Sequence, residues 1–246
     1  MGCRSEGNVP AGYVATDSSQ LRLRHCTSDR DETGCLVSDE GGLLAEGVHV
    51  TAALDCGFSC TEGGMKLTVC TATDCTTHGV LCSQGPGDRA SRVHAVGCTM
   101  QANGQDGFTV LDEASMQLLG CCGRQNKSAG ISIAERGVVD VDSSFCDDNQ
   151  WGFLVRGVLR VGDSGARGNA RDGIYVAGMG RATVSECTIT CSGQHGMLVD
   201  GEGARIDAER CVVEGNEEDD ATAHSFGVLN VVDCVGIESM NNLEIA

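Results

Sequence analysis

An all-β solenoid, a coil of parallel strands with about ten rungs of three strands each, is the fold class predicted by this 246-residue sequence, and three observations carry it. The first is a glycine that returns at Gly12, Gly34, Gly57, Gly79, Gly107, Gly130, Gly152, Gly173 and Gly196, in steps of 22, 23, 22, 28, 23, 22, 21 and 23 residues. The second is an apolar/polar alternation in three short bursts per repeat, which is the period of strands and not of helices. The third is asparagine at one fixed offset in several repeats, at Asn103, Asn126, Asn149, Asn169 and Asn216.

Residues 1–10 read as a short N-terminal segment and residues 11–246 as the repeat domain. The first strand of each rung follows the glycine and turns its first and third residues inward, as at Phe108 and Val110, Ile131 and Ile133, Phe153 and Val155, Ile174 and Val176. The second strand supplies Met65 and Leu67, Val139 and Val141, Leu159 and Val161. The third supplies Cys70 and Ala72, Cys98 and Met100, Cys187 and Ile189. Every backbone donor and acceptor in such a wall needs a partner in the next rung. Successive rungs therefore pair in parallel about 4.8 Å apart, and ten of them make a rod roughly 45 to 50 Å long. The preference of parallel crossovers favours a right-handed coil. Two units read as stretched, one by Ser83 to Arg92 and one by an acidic run from Glu214 to Ala223 that puts Ser225 in the glycine's place in a tenth unit. The last strand then falls at Glu244 to Ala246. The recurring Asn suits a sharp bend because it tolerates left-handed backbone and its amide can bond its counterpart one rung away. Ser192 and Ser239 hold that place in two other rungs.

Runs such as Asp172 to Gly180, followed by Cys187 to Thr190 and His195 to Val199, resemble the parallel β-helix repeats of the pectin-lyase-like superfamily, over residues 11–246. The resemblance implies a right-handed, single-coil β-helix of the kind found in sugar hydrolases, polysaccharide epimerases and the substrate-binding half of certain F-box proteins. It is specific for fold and weak for activity, because the fold hosts both enzymes and plain binding surfaces. The Asp147–Asp148 pair and the Gln194-His195-Gly196 run bear a faint likeness to polygalacturonase motifs, but their spacing differs and the companion motifs are absent. Asp147 and Asp148 read better as a solvated turn beside the asparagines.

Thirty-five acidic against seventeen basic residues give a net charge of −18, which opposes nucleic-acid and anionic-membrane partners. It also makes the wall a poor receptor for a polyanionic glycan unless calcium or a local basic patch intervenes. No apolar run is long enough to span a membrane, and the first residues lack the apolar stretch of a signal peptide, so the expected location is cytoplasmic or nuclear. Exposed strand edges at the ends of a solenoid make end-to-end self-association a further expectation.

The sixteen cysteines belong to a chain with a core of its own, where a thiol serves as a small hydrophobe. Cys26, Cys70, Cys98, Cys121, Cys187, Cys211 and Cys234 share one inward column. Parallel stacking holds their Cβ atoms near 4.8 Å, beyond the roughly 3.5 to 4.5 Å of a relaxed bridge, so reduced thiols are expected. No spacing calls for a metal or a cofactor.

The residue between the two inward members of the first strand is Val14, Leu36, Leu81, Leu154, Tyr175 and Leu198 in six rungs, where alternation predicts a polar side chain. Beside it, just before the glycine, run Trp151, Asp172, His195 and His224. Trp151, Leu154, Asp172, Tyr175, His195 and Leu198 are thus the candidate binding surface, for a protein or for a glycan. The stripe is equally explained by a segment folded over it, or by isolated leucines of no consequence. No catalytic residue emerges from the pattern. The reading favoured is a noncatalytic module presenting its long face to a partner; the alternative is a divergent polysaccharide lyase, glycoside hydrolase or epimerase.

Overall fold

The computed structural model describes residues 2–85, 87, 89–237 and 240–241, and these form thirty-one short strands with no helix. They lie in three parallel sheets. The first has eleven strands, from Ala11–Ala15 to Met240–Asn241; the second has ten, from Gln20–Arg24 to Val228–Val232; the third has ten, from Arg4–Glu6 to Val212–Glu214. Each strand pairs with its equivalent one rung away, so the chain visits all three sheets once per turn and climbs. Arg4–Glu6 lies within the N-terminal segment set apart in the sequence and already pairs with Thr27–Asp29.

The predicted vertical registration holds along the first sheet, where Phe108 lies opposite Ile131, Ile131 opposite Phe153, Phe153 opposite Ile174 and Ile174 opposite Met197. All five are buried, and with the inward residues of the other two sheets they form one continuous core.

The recurring glycine is explained by crowding and not by backbone conformation. A Cβ on Gly130 would stand 2.6 Å from the Cys146 Cβ and 3.0 Å from the Asn149 amide nitrogen; on Gly152 it would meet the Ala166 Cβ at 2.7 Å and the Asn169 amide at 3.0 Å. Neither glycine has a left-handed φ. The missing side chain lets the third strand and asparagine that end the same turn close in beneath. Gly130→Ala is therefore expected to cost about 2 to 3 kcal/mol by overpacking, seen as a lower urea midpoint at unchanged slope. An unchanged midpoint would show that the rungs can spread to admit a methyl group.

The asparagine ladder is present, with one correction to its backbone. Asn103 Nδ2 donates to Asn126 Oδ1 (3.0 Å), Asn126 to Asn149 (3.1 Å) and Asn149 to Asn169 (3.3 Å), while each Oδ1 also accepts the main-chain N–H of the ladder residue one rung earlier. The left-handed residue is not the asparagine but the one before it: Ala102, Gln125, Asp148, Gly168 and Gly215. The bend is made one position early so that the amide can turn inward and stay buried. Ser192 sits in the ladder with its hydroxyl unpartnered, whereas Ser239 lies outside the described residues, as does the strand expected at Glu244 to Ala246.

The cysteine column lines the opposite corner and works as a second, weaker ladder. Cys70 N–H donates to Cys98 Sγ at 3.4 Å, Cys121 N–H to Ser144 Oγ at 2.9 Å and Ser144 N–H to Ser164 Oγ at 3.0 Å. All sixteen cysteines are free thiols, twelve of them buried.

The last rung differs from expectation. Ala221 lies opposite Met197, and Met197 N–H donates to the Asp220 carbonyl, so Asp220 and not Ser225 holds the glycine's place. The acidic run is no insertion: five residues separate Asn216 from Ala221, the same as Asn169 from Ile174, and Glu217 to Asp220 make the ordinary turn. The error came from counting to a small residue; the ladder asparagine is the better ruler.

Candidate functional site

At the corner between the third and first sheets, the residue before the glycine forms a polar column. Asp106 Oδ1 accepts the Ala129 N–H (2.8 Å) from the next rung, and its Oδ2 lies 3.3 Å from His78 Nδ1 and accepts the Thr109 hydroxyl (3.0 Å). Farther along, Asp172 Oδ1 accepts the His195 N–H (3.2 Å) and stands 2.8 Å from His195 Nδ1, with Glu218 Oε2 at 3.2 Å from Nε2. The same device recurs: a buried aspartate ties down the next rung's backbone and a histidine covers it. This recurrence marks the Asp172–His195 pair as a corner clamp, although Asp172 Oδ2 and Trp151 Nε1 are buried without a partner.

Burial alone would raise the Asp106 pKa. Hydrogen bonds from His78, Ser128 and the Ala129 N–H outweigh it and bring the group below the usual carboxylate range. A carboxyl depressed in the fold stabilises above its unfolded pKa, and that contribution disappears as pH falls through the folded value. The stability gap between the parent and Asp106→Asn is thus expected to be constant near neutrality and to shrink below about pH 4. Urea unfolding at a series of pH values reads it, and a gap independent of pH would refute the clamp's ionic character.

The structure places Leu154, Tyr175 and Leu198 in register on the outer side of the first sheet, as expected. It leaves Leu154 and Tyr175 partly exposed and buries Leu198. Leu198 is only 9% exposed, and the Tyr175 hydroxyl donates to Asp200 Oδ2 at 3.4 Å. Trp151 has the Arg171 guanidinium 4.9 Å above its ring, so one stacking face is already taken. His224 departs from the predicted column, because with the acidic run in its ordinary turn Asp219 takes that place and His224 pairs with Asp200. Its ring still stands edge-on to that of His195, with centroids 6.1 Å apart. Of the six apolar positions only Val14 is more than a third exposed.

A depression of 810 Å³ lies on the third-sheet side around Arg167, Thr190 and Glu214, and another open feature of the wall lies on the outer face of the second sheet. A groove of 740 Å³ runs there, lined among others by Gln20, Leu44, Gly64, Lys66, Arg92, His94, Gln117 and Asp140. It adjoins two smaller depressions, sharing Leu44 and Lys66 with one and His94, Gln117 and Asp140 with the other. The stretched unit walls it on one side: Ser91 Oγ donates to the Ser83 carbonyl (2.6 Å) and accepts the Glu62 N–H (2.6 Å), the Glu62 carboxylate accepts the Gly87 N–H, and Arg89 pairs with Glu40.

Charge on this face runs against that of the whole chain. Its outward positions carry seven of the seventeen basic residues, Arg22, Arg24, Lys66, Arg92, Arg160, Arg181 and Arg205, and five of the thirty-five acidic ones. The groove's carboxylates are engaged, with Glu40 on Arg89 and Asp140 on Arg160 (3.0 Å). Among the described residues Lys66 and Arg92 have no ion-pair partner. Lys66 lies directly opposite His94, and Arg92 is two residues earlier on the same face of that strand. The sequence carried this signal in the residue between Leu43 and Ala45 and its counterparts one rung on. It went unread because charged outward residues are what a solvated strand is expected to show.

No protein-family model matches the sequence, and no curated protein sequence does. Solved structures do match. The catalytic unit of thermostable GH87 α-1,3-glucanase from Streptomyces thermodiastaticus strain HF3-3 aligns with a TM-score of 0.69 at 9% identity, over 96% of this chain and 51% of the glucanase unit. The periplasmic alginate epimerase AlgG aligns with a TM-score of 0.52 at 11% identity, over 95% of this chain and 78% of that one. This chain therefore spans about half the length of the glucanase unit, and at these identities the likeness is one of fold. The comparison overturns the cytoplasmic or nuclear location expected from the sequence, since AlgG is a periplasmic protein. With twelve of sixteen thiols buried, the cysteines do not demand a reducing compartment either. In fold and register, the chain is a right-handed parallel β-helix repeat protein.

Proposed function

We propose that the chain acts on a linear, carboxylate-bearing polysaccharide held along the groove of the second sheet. The observation that carries this reading is the unpaired couple Lys66 and Arg92 on one face of a protein of net charge −18. It is the local basic patch without which such a wall repels a polyanion. The glucanase and the epimerase are enzymes of polysaccharides, which supports a carbohydrate-acting protein over the noncatalytic module favoured by the sequence alone.

The arrangement suits chemistry beside a carboxylate. Lys66 and Arg92 would neutralise a uronate carboxylate and so lower the cost of removing the proton on the adjacent carbon, C5. The His94 imidazole, next to both, would take that proton while its electron pair moves toward the carboxylate. Return of a proton to the opposite face inverts C5; departure of the substituent at C4 with that pair, and a proton to the leaving oxygen, gives an unsaturated sugar. A second reading has its own observation. Asp140 and Asp142 project from one strand two residues apart, about 6.6 Å, near the separation used for inverting hydrolysis.

Incubation with alginate, polygalacturonate and α-1,3-glucan separates the readings. Binding of the two polyuronates with a new ultraviolet-absorbing product, or with exchange of the C5 proton for solvent deuterium, is the expected result. Reducing ends without unsaturation would favour hydrolysis. Binding without product would return the chain to the plain module, and binding of the neutral glucan alone would sink the carboxylate reading.

A further inference from the structure

Two glycines in succession, Gly63 and Gly64, open the second-sheet strand Gly64–Thr68, and the structure accounts for only one of them. A Cβ on Gly63 would stand 2.6 Å from both the Gly41 carbonyl oxygen and Val37 Cγ1, so the packing of adjacent rungs demands its absence. Gly64 points outward into the groove, and a Cβ there would meet nothing within 4 Å. Its φ is outside the left-handed region that favours glycine. Neither sterics nor backbone requires it, and glycine inside a strand costs about 0.5 to 1 kcal/mol relative to alanine.

Its neighbours show what the bare position does. In register, Gln20 lies opposite Gly42, Gly42 opposite Gly64, and Gly64 opposite Arg92. The Gln20 side-chain amide bends over Gly42 and fills the space above it, while the space above Gly64 stays open. The result is a notch in the groove floor, bounded by Gln20 and Gly42 on one side, Arg92 on the other, and Lys66 two residues along. Uncovered strand glycine recurs where a ligand must approach the backbone closely.

We infer that Gly64 is the specificity-determining floor of a sugar subsite, where one ring lies flat on bare backbone with its carboxylate between Lys66 and Arg92. The inference rests on the groove being the polysaccharide site. A rung spacing of about 4.8 Å is close to the length of one pyranose unit in an extended chain, so a ring seated on Gly64 brings its neighbours over Arg92 on one side and over the Gln20 amide that covers Gly42 on the other. A side chain at position 64, whose Cβ meets nothing within 4 Å, lifts the ring away from both cations.

Titration calorimetry with alginate oligomers, alongside thermal unfolding, tests this on the whole chain. Gly64→Val is expected to unfold at the same or a higher temperature and to bind at least tenfold more weakly, with Gly64→Ser in between; Lys66→Glu supplies the comparison. Undiminished binding by Gly64→Val while Lys66→Glu loses affinity would overturn the subsite and leave the groove reading intact. Undiminished binding by both, or no binding by the parent, would overturn the two together. A marked fall in unfolding temperature for Gly64→Ser as well as Gly64→Val would show that glycine is structural there and would equally overturn the inference.

Discussion

Asn149→Ala is expected to remove about 3 to 5 kcal/mol of stability, a large share of what a domain of this kind possesses. Asn149 is 3% exposed and sits mid-ladder. Its Oδ1 accepts both the main-chain N–H of Asn126 (2.9 Å) and the Asn126 side-chain amide (3.1 Å), and its Nδ2 donates to the Gly123 carbonyl (2.9 Å) and to Asn169 Oδ1 (3.3 Å). Truncation orphans the Asn126 main-chain N–H and leaves the Asn126 amide only the Met100 carbonyl (3.2 Å), and each buried hydrogen bond left unmade costs about 1 to 3 kcal/mol. Ala53 and Cys75 occupy the same place in earlier rungs, so an apolar residue is admissible where the neighbours are built for it. The cost in the mutant comes from partners already oriented for an amide. Urea unfolding at constant slope measures it; a loss below about 1 kcal/mol would mean that water enters the corner and replaces the ladder.

The double substitution Lys66→Glu/Arg92→Glu is expected to lower affinity for alginate oligomers at least a hundredfold, on the order of 3 kcal/mol, with no change in unfolding temperature beyond a degree or two. Both side chains are exposed and make no ion pair with a described residue, so the fold does not depend on them. Reversal turns two attractions into two repulsions within a groove already edged by Glu40, Glu62 and Asp140. Parental binding should weaken steadily with added salt, because the charges lie at the surface and are screened beyond about 8 to 10 Å at moderate ionic strength. Charge reversal of Arg4 and Arg30 on the third-sheet side should leave binding as it was. Equal loss at that remote pair would reduce the effect to net charge and remove the groove from the account.

Phe153, Ile174 and Met197 could be placed inside, and in register, from their spacing alone, because a two-residue period leaves only one face for the core. The asparagine ladder was equally legible, since five amides at one offset have no other common explanation. Leu198 was not. It alternates outward as predicted, yet Tyr175 opposite it reaches across to Asp200, and the rings of His195 and His224 approach one another nearby. Long side chains bend over the sheet, and spacing along a strand does not say which way they bend. The tenth rung failed for a related reason, because Ser225 resembles glycine in size while Asp220 holds its place through backbone pairing.

By itself the sequence determined the coil, its three faces and the contents of its core, because strand alternation and repeat length are properties of neighbouring residues. Where the groove lies on the second sheet was decided only by the tertiary structure. Glu40, Glu62 and Arg89 come from three different rungs, and they wall the groove beside Lys66 and Arg92 only once the coil has stacked them over the buried Ser91. Gly63 and Gly64 are identical in the sequence. One is fixed by a carbonyl oxygen and a valine from the preceding rung and the other faces solvent, a distinction that exists only in three dimensions.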